Sequence, residues 1–364
     1  MFARLAAPGF LRALAAALGA WLWLAQPAPA QSPVDALAEA WAHSPHARVE
    51  AEAFVHWDEE GEVPVDCATC HSGPGFRDFI GADGSAAGVV DNPAPIRSVI
   101  DCATCHGVVA GALASVVFPS GATVADLGSS ARCMVCHQGR ESTVSVNARI
   151  GDLDDDAVSA DLAFVNVHYR AAAASLLGSM VKGAYEYEGK EYVGRFAHPP
   201  PADTCTGCHD PHALEVVVET CAACHQNQAL PAIRINPADS DSDGDTSEGV
   251  AGEIATMHEA LLAAIGAHAA DSAGAPVAYS PDAYPYFFND GNANGVADPD
   301  ETVFPNRYQS WTPRLLRAAY NYQFVAKDPG IYAHNPRYAM QILYDSIADL
   351  GTAVPVDVDG MVRP

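Results

Sequence analysis

Cys67-Ala-Thr-Cys70-His71, Cys102-Ala-Thr-Cys105-His106, Cys133-Met-Val-Cys136-His137, Cys205-Thr-Gly-Cys208-His209 and Cys221-Ala-Ala-Cys224-His225 hold every cysteine of a 364-residue chain. Each is a C-x-x-C-H unit, the attachment motif of haem c. The spacing has a chemical reason. Two thiols three residues apart reach two vinyl groups of one porphyrin, and the histidine that follows lies beneath the ring as the proximal iron ligand. Disulfides and zinc also use paired cysteines, but neither needs a histidine directly after the second. With 14 His in the chain, five such neighbours by chance are on the order of one in ten million. Five covalently attached haems c are therefore expected.

The motifs begin at 67, 102, 133, 205 and 221, and Asp66-Cys-Ala-Thr-Cys-His71 recurs as Asp101-Cys-Ala-Thr-Cys-His106. About 32 residues per haem leave little chain for ordinary core layers. The expected fold is mainly α with extensive irregular loops, wrapped around the haems, with a few short β-hairpins. Asp161–Val181, which contains His168, reads as a helix. Val116–Val124, about Pro119-Ser-Gly121, and Tyr185–Tyr192, about Gly189, read as hairpins. After His225 no motif follows. In that stretch Ile254, His258, Leu261, Ile265 and His268 fall on one helical stripe, Thr312-Pro313 and Asn335-Pro336 start helices, and Gly351 ends the last one. Three parts result: a cleaved signal peptide over 1–30, a pentahaem unit over 31–226, and a haem-free helical region over 227–364.

The signal reading rests on Arg4 and Arg12, the apolar run Leu11–Ala25 and the small residues of Ala28-Pro29-Ala30. The run is shorter than the roughly 20 residues that span a bilayer, and no later segment reads as a span, so the protein is expected to be exported and not integral to the membrane. Export suits haem c, which is assembled outside the cytoplasm. The formal net charge of −26 is the wrong sign for a nucleic-acid binder. It points instead to soluble redox partners that dock through a basic patch.

The chain resembles the multihaem, here pentahaem, c-type cytochromes of exported bacterial respiration, and is similar to large polyhaem and extracellular cytochromes. The resemblance is carried by the five motifs, by Phe54-Val-His-Trp57 and Cys208-His-Asp-Pro-His212, and by Arg317-Ala-Ala-Tyr-Asn-Tyr-Gln-Phe324 with Tyr332-Ala-His-Asn335 near the end. It covers most of the chain after the leader. It implies a second histidine on each iron, and favours His46, His56, His168, His212 and His334, with His198 close behind. His212 follows the fourth motif too closely to cross its own haem, so it would serve a neighbour. His258 and His268 are better explained as core residues of a helix. No motif has Lys in place of its histidine, as the catalytic haem of pentahaem nitrite reductases does.

Asp290-Gly-Asn292-Ala-Asn294-Gly295-Val296-Ala-Asp298-Pro-Asp-Glu301 fits the twelve-residue EF-hand loop. Asp290, Asn292, Asn294, Val296 (through its carbonyl), Asp298 and Glu301 fill the calcium positions. Asp239-Ser-Asp241-Ser-Asp243-Gly244-Asp245 is similar, but its twelfth position is Val250, so Glu248 or Glu253 would have to complete it with altered geometry.

Taken together these readings describe a cytochrome, not an enzyme, that carries electrons through closely packed bis-His haems between respiratory partners in the periplasm or outside the cell. Six well-placed histidines for five irons also allow self-association, with His46 or His56 lent to a neighbour in an oligomer or filament. The rival is a reductase of a nitrogen or sulfur oxyanion with one open iron.

Overall fold

A computed structural model describes residues 32–226 and 229–364; the leader lies outside these residues. Six helices of eight or more residues occur among them: α1 (Pro33–His43), α2 (Thr143–Ile150), α3 (Val218–His225), α4 (Val250–Asp271), α5 (Pro313–Ala326) and α6 (Pro336–Leu350). The remaining helices are one or two turns long. Among the described residues strands form antiparallel pairs: β1 (Glu62–Val63) with β2 (Ala94–Pro95), β3 (Val116–Val117) with β4 (Thr123–Val124), and β5 (Val277–Tyr279) with β6 (Phe287–Asn289). The Val116–Val124 hairpin pairs Val116 with Val124 across its turn.

The long helices start where polar caps stand. Thr312 Oγ1 accepts from the Leu315 amide at the head of α5, and Asn335 Oδ1 accepts from the Tyr338 amide at the head of α6, each with Pro in the first turn. α4 packs against α5 and α6. Trp311, Tyr320, Tyr338 and Phe324 are buried there, in a core continuous with Phe76, Met134 and Leu177 of the motif-bearing stretch. By length and composition α4 could also cross a bilayer, which the sequence reading did not anticipate. Its apolar residues Ile254, Met257, Leu261 and Ile265 are spent in this core.

Two expected elements are absent, for one reason. Asp161–Val181 is not one helix: residues 161–171 are irregular, Ala172–Leu177 is α-helical, and Gly178–Met180 is a 3-10 turn. His168 and Arg170 have left-handed backbones, at φ 71° and 60°, which a right-handed helix excludes. The Val167 amide donates to Gln323 Oε1 at 2.9 Å instead. Tyr185–Tyr192 keeps its turn at Gly189 but forms no ladder. Asn321 of α5 accepts from the Tyr185 amide at 2.7 Å and donates to the Tyr185 carbonyl at 2.9 Å, while the Tyr187 amide donates to the Tyr192 hydroxyl. Gln341 of α6 takes the Val193 amide and Asn335 donates to the Gly194 carbonyl. Amide side chains of α5 and α6 thus stand in for the missing strand partners, satisfying backbone groups that would otherwise be buried unpaired.

Candidate haem-binding site

Each motif sits on about one helical turn. In the second, Asp101 caps the helix Cys102–His106 through its bond to the Thr104 amide and is itself held by Arg77 at 2.7 Å. In the fourth, Thr204 caps Cys205–Cys208. The first has the same residues as the second but a different cap, since Asp66 lies inside the helix Val65–His71. One turn places the two cysteines, three apart, on one face, with the histidine at or just beyond the end.

The five motifs form a connected cluster with the third at its centre. Cys70 Sγ lies 4.0 Å from the Val135 carbonyl and Cys136 Sγ 3.7 Å from that of Thr69, which sets the first and third back to back. Arg132 donates to the Cys105 carbonyl, tying the second to the third. Ser130 accepts from the Cys205 amide, tying the third to the fourth. The Val217 amide donates to the Cys208 carbonyl, just before α3 and the fifth.

Around this cluster runs one cavity of about 2800 Å³, several times the roughly 300–1,000 Å³ of a typical small-molecule site. All five motif histidines and nine of the ten cysteines line it; Cys102 does not. So do His46, His56, His168, His198, His212 and His334, whereas His43, His258 and His268 do not.

Inside the cavity the histidines face one another. Ring centroids are 5.8 Å apart for His71 and His168, 6.0 Å for His106 and His212, 6.2 Å for His137 and His46, and 6.4 Å for His209 and His334. His198 lies within electrostatic reach of His225. His56 is exposed, bonds Glu52 at 2.8 Å, and meets the ring of Trp57, which in turn meets His71.

Several of these rings have one nitrogen already used. Nδ1 of His71 is 2.8 Å from the Ala53 carbonyl and Nδ1 of His137 is 3.3 Å from that of Arg170. A carbonyl only accepts, so each Nδ1 carries the proton and Nε2 keeps its lone pair. Burial first, then His137, holds the His46 pKa near 4, and burial with His71 does the same for His168. Burial also lowers His71, His137, His209 and His198. Neutral imidazole is the form that ligates a metal. His334 goes the other way: burial opposes its charge, but its bond to Asp328 at 2.8 Å and that carboxylate's charge outweigh burial and raise it.

The two histidines of α4 have protein partners at Nε2. His258 bonds the Tyr322 carbonyl at 2.8 Å and stacks on the Tyr322 ring, with centroids 3.9 Å apart. His268 bonds Asp156 at 3.0 Å. The sequence reading passed over Arg132, Arg140, Arg149, Arg170, Arg234 and Arg337, which line the cavity and follow no motif.

The calcium candidates lie on one loop after β6, exposed for the most part but with Asp290 buried. Asp290 accepts from the Gly295 amide at 2.7 Å, with Gly295 at φ 77° as the sixth position of such a loop demands. Asn292 and Asn294 reach Asp298, and Glu301 folds back onto the Gly291 amide at 2.7 Å.

Two imidazoles bound to one iron from opposite sides have centroids roughly 6 Å apart, given metal–nitrogen bonds of about 2 Å. The facing rings, the five attachment motifs and the cavity volume all fit haem c. Together they define the class of site that multihaem c-type cytochromes have. The chain is similar to the C-type polyheme cytochromes OmcB and OmcC of Geobacter sulfurreducens. The identity to OmcB is 28% over 349 residues, covering 81% of this chain and 45% of OmcB, and the identity to OmcC is 31% over 244 residues, covering 61% of this chain and 30% of OmcC. The chain thus spans less than half the length of either relative. No protein-family model and no solved structure matches it.

Proposed function

We propose that this chain carries electrons through five bis-His haems c: on Cys67, Cys70 and His71 with His168; on Cys102, Cys105 and His106 with His212; on Cys133, Cys136 and His137 with His46; on Cys205, Cys208 and His209 with His334; and on Cys221, Cys224 and His225 with His198. The observation that carries this is the facing of four motif histidines and four others at 5.8–6.4 Å. Haem c supplies a one-electron couple at its iron. The protein's part is to fix ring orientation through the carbonyls at His71 and His137. Arg132, Arg140 and Arg170 would meet the haem propionates, and the contacts of the third motif with the first, second and fourth, and of the fourth with the segment before the fifth, would keep the bound haems close together.

Two histidines per iron leave no open position, which favours a carrier over a reductase. Exported placement, in the periplasm or at the cell surface, follows from the expected leader and from haem c assembly. The negative charge favours partners with a basic docking patch. With His46 set against His137 inside the chain, the filament reading rests on His56 alone. Calcium at Asp290–Glu301 would brace the loop after β6; calorimetry should show its loss in Glu301→Gln.

Electron paramagnetic resonance of the oxidised protein, with denaturing mass spectrometry, tests the haem reading. Five covalent haems, all low-spin, are expected. A high-spin iron together with turnover of nitrite, hydroxylamine or tetrathionate would replace the carrier with the reductase.

A further inference from the structure

The second acidic loop is where the structure gathers its carboxylates most tightly. Asp239, Asp241 and Glu253 each bring an oxygen within 4.8 Å of the others, and Asp241, Asp243 and Glu248 form a second such group that shares Asp241. Asp241 and Glu253 are only 4% and 2% exposed. Protein groups satisfy part of this charge. The Asp239 carboxylate accepts from the Ser242 and Gly244 amides, Glu253 Oε2 accepts from those of Ser240 and Asp241, and Oε1 pairs with Arg234 at 2.5 Å. Asp241 Oδ2, sealed from water and facing its neighbours' carboxylates, has no hydrogen-bond partner, and neither has Glu248 Oε1. Five carboxylates here face one guanidinium, and a buried anion left unpaired is costly.

We propose that a calcium ion binds among Asp239, Asp241, Asp243, Glu248 and Glu253. The donors are all oxygen, with no sulfur or imidazole, which selects a hard cation, and their number suits the larger coordination shell of calcium better than the strict octahedron of magnesium. Val250 at the twelfth position does not matter, because Glu253, in the first turn of α4, supplies the carboxylate instead. Glu248 fits because residue 252 is glycine: a Cβ there would lie 1.7 Å from Glu248 Oε2. The ion would lock three pieces together. Ser240 accepts from the Val362 amide, Ser242 donates to the Asp359 carbonyl, and Ser240, Arg234 and Glu253 line the haem cavity. This inference rests neither on the haem ligation nor on the loop after β6.

The test is calcium titration of the haem-loaded protein by calorimetry, with native mass spectrometry to count ions. Wild type is expected to bind two calcium ions, and Glu301→Gln to keep the one described here. Asp241→Asn should weaken that ion by about tenfold or more, with the haem spectrum unchanged as the check on folding. Gly252→Ala serves as a second variant: alanine favours the helix, yet its methyl displaces Glu248, so calcium affinity should fall without loss of fold. A wild type that binds a single ion, abolished by Glu301→Gln, would overturn the proposal. So would wild-type affinity in both Asp241→Asn and Gly252→Ala.

Discussion

In the motif-bearing stretch, His71 and His137 use Nδ1 on backbone carbonyls and turn Nε2 toward a cavity; in α4, His258 gives Nε2 itself to the Tyr322 carbonyl and lies flat against that ring. Both kinds of histidine are half-buried, and desolvation lowers the pKa of both. They differ in which nitrogen the protein consumes. Their surroundings differ in the same sense. Around the first motif the protein's own apolar cluster is Val63, Ala68 and Ala94, and the longest helix carrying a motif has eight residues. Around α4, helices of 14 to 22 residues close over Trp311, Tyr320 and Tyr338. A region that leaves ring nitrogens unspent around a cavity is built around something else; a region that spends them closes on its own side chains.

The sharpest way to break this contrast is to change one histidine of each kind. His168→Met is expected to keep the haem count but alter one haem's spectrum and raise its potential by roughly 0.1 V or more, since Met/His ligation raises potentials. His258→Met should leave every haem untouched. Spectroelectrochemistry that finds the reverse would show that the free nitrogen is no guide to ligation.

The two regions are also stitched together, and Asn321 is the strongest stitch. It is fully buried and bonds the Tyr185 amide and carbonyl and Ser346 Oγ. Asn321→Ala would leave buried backbone groups unpaired and should cost about 2–4 kcal/mol in denaturant unfolding. A loss below about 1 kcal/mol would mean that residues 183–194 do not depend on α5.

A smaller effect concerns pH. Burial holds the His258 pKa near 4 against an ordinary 6.5. Between those values the unfolded chain binds the proton and the folded chain does not. The stability tied to this residue is therefore complete above about pH 6.5 and declines as pH falls to about 4, by on the order of 3 kcal/mol. His258→Gln should flatten that slope in unfolding measured across the window; an unchanged slope would assign the acid sensitivity to the cavity histidines instead.

The attachment chemistry was legible in the sequence because a C-x-x-C-H unit is complete within five residues. The helix caps at Thr312 and Asn335 were legible for the same reason: local chemistry needs only local neighbours. The sequence also narrowed the remaining histidines to six that line the cavity. It could not assign partners, because His46 and His137, or His209 and His334, are brought face to face only by the folded chain. It misread 161–181 and 185–192 because their backbone groups pair with Gln323 and Asn321, more than a hundred residues away. The cavity arginines and the carboxylates of Asp239–Glu253 likewise take their meaning from convergence. The sequence alone determined what each short segment can bind; the tertiary structure decided which segments meet, since burial and the pairing of a free ring nitrogen or carboxylate depend on neighbours that the chain supplies from a distance.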